Sequence, residues 1–262
     1  MTRETFRKLR ILILLLVLFF VGLQTWLTQL RSTDWQQPLW VVVYPINGDG
    51  SSVTAQYINN MDEQIFDEIE EFYIREARRY GLTVSDPVTV KLAPQVTSQP
   101  PLPPQGGNMF DVVVWSLKMR YWAWSNNNYP GPRPDIQMYV KYYDPTNNKR
   151  LGHSLGLKKG MVGVVNAFAA TKYAGSNNVI IAHELLHTVG ASDKYDLATN
   201  QPYFPAGFAE PGRVPLYPQR KAELMAGRIP VAQNKALIPR SLSSVMIGEA
   251  SATEILWHQD EE

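Results

Sequence analysis

The chain has 262 residues, 45% of them hydrophobic and 19% charged, which is ample apolar material for one sizeable core. Its formal net charge of +1 gives no electrostatic footprint for nucleic acid, which is therefore not expected as a partner. The absence of cysteine excludes disulfides and thiolate-held metals, so any metal must be taken by histidine and carboxylate.

Arg3, Arg7, Lys8 and Arg10 precede an apolar run from Ile11 to Leu23, continued by the mixed stretch Gln24 to Leu30. The run alone has the length of a signal-peptide core. With its continuation it reaches about 20 residues, enough to span a bilayer with Trp26 at an interface. No small-x-small cleavage signal follows between residues 24 and 34, which favours an uncleaved anchor. The expected order is a basic cytoplasmic N-terminus over 1–10, a single-pass transmembrane anchor over 11–30 and a linker over 31–38. An extracytoplasmic domain over 39–262, periplasmic or at the cell surface, follows. A cleaved signal peptide would put the domain in the same compartment.

From residue 39 the pattern alternates between strand and helix. Leu39 to Ile46 is β-branched and aromatic, a buried first strand that ends at Asn47-Gly48-Asp49-Gly50. Met61 to Tyr80 has apolar residues at helical spacing, acids early and arginines late, with Gly81 as a stop. Val88 to Leu92 reads as a strand and 93–108 as a Pro/Gln/Gly-rich surface loop. Phe110 to Trp115 reads as another strand, followed by Tyr121, Trp122 and Trp124 as packing aromatics. After a loop over 126–134, Ile136 to Tyr143 alternates as a strand. Gly160 to Ala169 is a further strand, softened by glycine and placed at a sheet edge. A helix over 177–189 follows, with Ser176, Asn177 or Asn178 as its N-cap. Pro202 to Pro218 reads as an ordered loop, 220–225 as a short helix and 240–257 as a final helical piece. The fold class is α/β (α+β), a twisted mixed sheet with one functional helix.

That helix holds His183-Glu184-Leu185-Leu186-His187, with two of the four histidines of the chain. Four residues apart, both imidazoles lie on one helix face and can reach one ion. Glu184 is too close in angle to be a third ligand but can reach a water on the same ion. This is the HExxH arrangement of zinc hydrolases, with the glutamate as general base. Gly190 can end the helix in a left-handed turn and bring Asp193 back toward the histidines. His183, His187 and Asp193 would then be three ligands of one zinc ion, with a fourth position open to water, as catalytic sites require. Glu210 and Glu223 are the competing third ligands. His153 and His258 read as surface residues.

His-Glu-x-x-His-x-x-Gly-x-x-Asp resembles the metzincin signature, with the third histidine replaced by Asp as in snapalysin-type enzymes. Asp193-Lys194-Tyr195 is similar to their Asp-x-Tyr sequence, and Glu223-Leu224-Met225-Ala226-Gly227 to their Met-turn, for which Met246 is a rival. The pattern also resembles a group of bacterial membrane-anchored metallopeptidases. The resemblance implies a metzincin-like zincin domain, zinc as cofactor, Met225 in the turn that floors the site, and a peptide or protein substrate. Tyr195 would pack near the site or contact the substrate or its transition state. The edge assigned to 160–169 would let an extended peptide pair across the metal. The alternatives are a non-catalytic zinc-containing module that binds a peptide or an envelope partner, and hydrolysis of a non-protein amide such as a cell-wall peptide.

Overall fold

The computed structural model describes residues 5–13, 15, 16, 19, 34–104, 106, 108–157 and 161–258. The expected anchor over 11–30 lies largely outside them. No helix among the described residues is long and apolar enough to cross a membrane.

Five strands form the main sheet: β1 (Leu39–Asn47), β2 (Val88–Leu92), β3 (Ile136–Tyr143), β4 (Leu155–Leu157) and β5 (Val162–Phe168). Their order is β2-β1-β3-β5-β4, parallel except for β4, which runs antiparallel to β5. The central strands are buried on both faces, hence the unbroken apolar run of β1. Side chains alternate between two cores. Val41, Val43, Ile136, Met138 and Val140 face one, while Val42, Tyr44, Ile46 and Tyr139 face the other.

The larger core is covered by helices α1 (Ser52–Asn59), α2 (Asp67–Arg79) and α4 (Ala174–Val189), the smaller by α3 (Met109–Ser125). In α2, Ile69, Phe72, Tyr73 and Ala77 form the buried stripe, with acids in the first turn and Arg78 and Arg79 in the last. A 3₁₀ turn over Glu63–Phe66 leads into it, so the expected helix over 61–80 is shorter and comes in two pieces. Helix α1, not foreseen, is capped by the Ser51 side chain.

Three other expectations are corrected. Residues 110–115 are helical, because Asn108 and Asp111 form a capping box that starts α3 ahead of the valine run. Strand 160–169 is β5, and it is not an edge: three-residue β4 covers it. Helix α4 begins at Ala174, so Ser176, Asn177 and Asn178 lie inside it rather than capping it. The buried Asn177 side chain bonds both backbone groups of Phe168, at 3.1 and 2.9 Å, which locks the helix onto the end of β5.

The C-terminal portion is built from short pieces. Strand β6 (Ala222–Glu223) pairs in parallel with β9 (Val245–Met246), and β7 (Ile229–Ala232) pairs antiparallel with β8 (Lys235–Leu237). Residues 220–225 are therefore not a helix: β6 runs into a 3₁₀ turn over Leu224–Ala226, ended by Gly227 in the left-handed region. Within 240–257 only α5 (Glu249–Glu254) is α-helical.

Candidate metal centre

Helix α4 is held rigidly where the site lies. Ile181, Ala182, Leu185, Leu186 and Val189 are buried in the larger core, and the Tyr73 hydroxyl donates to the Ala182 carbonyl at 2.8 Å. Gly190, at φ 121°, ends the helix in a conformation that side chains with a Cβ rarely adopt. The Gly190 and Ala191 N–H groups both return to the Leu186 carbonyl, and the chain reverses. This reversal carries Asp193 back over the histidines.

Each imidazole is oriented by a backbone carbonyl. His183 Nδ1 lies 2.9 Å from the Leu224 carbonyl and His187 Nδ1 lies 2.8 Å from that of Ala191. A carbonyl can only accept, so both Nδ1 atoms carry hydrogen. In the neutral rings the Nε2 lone pairs then point outward, and Asp193 Oδ1 sits 3.2 Å from one and 3.1 Å from the other. Asp193 Oδ1 is buried and has no hydrogen-bond partner. Three lone pairs turned toward one another repel unless a cation joins them. Tetrahedral zinc with bonds of about 2.0–2.1 Å separates its ligand atoms by about 3.3 Å, close to what is found here. His183, His187 and Asp193 thus form a group that could hold a metal ion.

A proton is the only other cation that could relieve the crowding. Burial pushes the His183 pKa down, but Asp193, Glu184 and the Leu224 carbonyl outweigh it and hold the value above that of an ordinary histidine. Burial likewise works against an ionised Asp193, and the two imidazoles overcome it, holding the carboxyl well below the usual range. Burial is the main reason that the Glu184 carboxyl is pushed up, opposed by His183 and His187. Glu184 Oε2 is buried without a hydrogen-bond partner.

The turn at 223–227 supports this group through its backbone. The Leu224 carbonyl orients His183, and the Met225 carbonyl accepts from Lys194 N–H at 3.0 Å, pinning the residue after Asp193. Met225 itself is fully buried, whereas Met246 lies on β9 beside Glu223. Glu223 is committed elsewhere. Its carboxylate accepts from the Ala226 and Gly248 N–H groups and the Ser251 hydroxyl at 2.8, 3.1 and 2.8 Å, and so does not join the ligand group. Glu210 accepts from Arg220 N–H at 3.1 Å and is also outside that group. The Tyr195 ring lies 6.4 Å from that of His183. His153 and His258 are exposed and apart from it.

Two contributors were not foreseen. Glu254 of α5 accepts from Ser192 N–H at 2.8 Å, the Ser192 hydroxyl at 2.6 Å and Lys194 Nζ at 2.7 Å, clamping both neighbours of Asp193. Gly156, in the middle of β4, lies so close to α4 that a Cβ there would be 2.6 Å from His187 Cβ. A glycine in a short strand could have signalled close backbone approach. Nothing in the sequence marks Glu254. Set against known proteins, the chain matches no family model and no curated sequence.

Proposed function

We propose that the chain is a membrane-anchored zinc endopeptidase with a metzincin-like catalytic domain held outside the cytoplasm. The observation that carries this reading is the meeting of His183 Nε2, His187 Nε2 and Asp193 Oδ1 beside a buried carboxylate, Glu184, that has one unpartnered oxygen. Two imidazoles and a carboxylate are a donor set that suits zinc. Bound there, zinc would act as a Lewis acid on the scissile carbonyl and lower the pKa of a water to about 7.

The chain's own residues supply the rest. Glu184 takes the proton of the attacking water at its free oxygen and delivers it to the leaving amine. Its raised pKa suits both halves of that transfer. Tyr195, whose phenol burial holds above the ordinary value, stays protonated near neutrality and can donate a hydrogen bond to the substrate or the developing oxyanion. Peptide alignment passes from β5 to β4, the outermost strand of the sheet, which Gly156 seats against α4. The extracytoplasmic location is supported by the basic cluster and apolar run of the first thirty residues.

The test is metal analysis and proteolysis of the purified protein. One zinc per chain and cleavage of a denatured protein are expected. Glu184→Gln should keep the metal and lose roughly 10²–10⁴-fold in rate, while Asp193→Ala should lower the metal content. A Glu184→Gln variant as active as the parent would end the enzyme reading.

A further inference from the structure

The group that could hold a metal ion lies beside a stretch of chain short of free acids. Between Leu197 and Arg228 the basic residues are Arg213, Arg220, Lys221 and Arg228, and the acids are Glu210 and Glu223. Glu223 is fully buried and bonded by Ser251 and two backbone N–H groups. Glu210 is divided between Arg220 N–H at 3.1 Å and a long contact of 3.5 Å to Arg213 Nη1. Arg213 Nε is buried with no hydrogen-bond partner. Closer to the site, Asp196 accepts from Ala198 and Thr199 of its own turn, and Glu254 is paired with Lys194. Arg220, Lys221 and Arg228 have no acid partner among the described residues.

Backbone geometry sets these cations along a path that ends at the site. Arg228 follows Gly227, which closes the turn whose Leu224 carbonyl orients His183 at 2.9 Å. Arg228 bridges Glu223 antiparallel, and Gln219 N–H donates to the Pro230 carbonyl at 2.8 Å. Residues 219–223 and 228–230 thus run side by side, which puts Arg220 and Lys221 on the segment next to Arg228. Arg220 in turn lines an open cavity of about 400 Å³ with Arg213, Glu210, Gly212 and Val214. At the other end, the Tyr195 ring lies 6.4 Å from that of His183. Burial and the acids Asp193 and Glu184 push the Tyr195 phenol up, and Arg228 is near enough to pull against them. Tyr195 and Arg228 are both partly exposed, so a bound chain can reach them.

A guanidinium grips a carboxylate through a two-pronged fork, more firmly where part of it is shielded from water. We propose that the substrate is an acidic peptide. Arg228 holds an Asp or Glu side chain close to the cleaved bond, and Lys221, Arg220 and Arg213 hold further acids along the chain. This rests on the endopeptidase reading above. Arg228 recognises and does not react. Its contact is the same before and during the reaction, so it acts on KM rather than on kcat.

A cut made in a denatured protein supplies the test sequence, remade as fluorogenic peptide pairs with Glu or Gln at each position around the bond. The full chain should cleave the Glu member about 10-fold better in kcat/KM at one position or more, through KM. Added salt should shrink the difference. Arg228→Gln should abolish the preference at the position closest to the bond. Arg228→Glu should reverse it there and favour a Lys peptide, a gain that misfolding cannot produce. Equal cleavage of every Glu and Gln pair by the parent overturns the acidic substrate and leaves the endopeptidase reading standing. An Arg228→Glu variant that keeps the parent's preference overturns the assignment to Arg228. A chain that cuts neither protein nor peptide ends the endopeptidase reading and this proposal with it.

Discussion

His183 and His187 are aimed before any ion arrives, because each Nδ1–H is spent on a carbonyl that the fold puts there. Orientation of this kind fixes the tautomer and spares the binding step the entropy of freezing two rings. Gly156 is the opposite sort of contributor, necessary for what it lacks. Gly156→Ala would press a methyl group against His187 Cβ and the Glu184 backbone carbonyl. The expected cost is about 1–3 kcal/mol of stability, as for other overpacked sites, together with weaker metal retention. Urea denaturation of parent and variant measures the first; a midpoint that does not move would mean that β4 yields instead.

Among the elements, α5 decides how firmly Asp193 is presented. Burial opposes ionisation of Glu254, but Lys194 and Ser192 prevail and hold its pKa below the ordinary 4.5. A folded state that keeps the carboxylate ionised gains stability that is complete above 4.5 and fades as the pH falls through the lower folded value. The melting temperature of Glu254→Gln should therefore lie below that of the parent at neutral pH, and the gap should narrow in acid. A gap independent of pH would assign the loss to packing alone. The elements also differ in how plainly the sequence announces them. Strands β1 and β3 and helix α2 were legible because each has one period and a definite end. Helix α3 was not, since residues apolar on two faces erase the helical period and Val112, Val113 and Val114 imitate a strand. Its only local sign was the Asn108/Asp111 box. His183, His187 and Asp193 were legible because one helix and one turn carry them all. Glu254 and the Leu224 carbonyl were not, being brought in from distant parts of the chain by tertiary packing alone.

Over the whole molecule, the two ends of the domain close on each other. Trp35, four residues before β1, donates its indole N–H to the Ile255 carbonyl at 2.7 Å and meets the Trp257 ring edge-on at 5.1 Å. Buried Glu76 in α2 accepts from Ile247 N–H at 3.0 Å and pairs with Arg79 at 2.7 Å, tying the same tail to the larger core. Trp35→Ala should cost about 3–5 kcal/mol, the range for a buried aromatic. Because Ile255 follows Glu254 directly, the variant should also lose metal more readily to a chelator. Chelator resistance equal to the parent's would show that α5 stays in place without its tryptophan partner.

The Glu254 clamp also bears on when the centre becomes competent. A ribosome delivers both histidines before the parts that hold them, since the carboxylate that fixes the Asp193 turn follows 62 residues after Ser192. The Leu224 carbonyl that aims His183 comes 41 residues after it. A partly made chain thus carries the signature helix without the parts that aim it. The group that could hold a metal ion is therefore complete only once the tail has folded back against it.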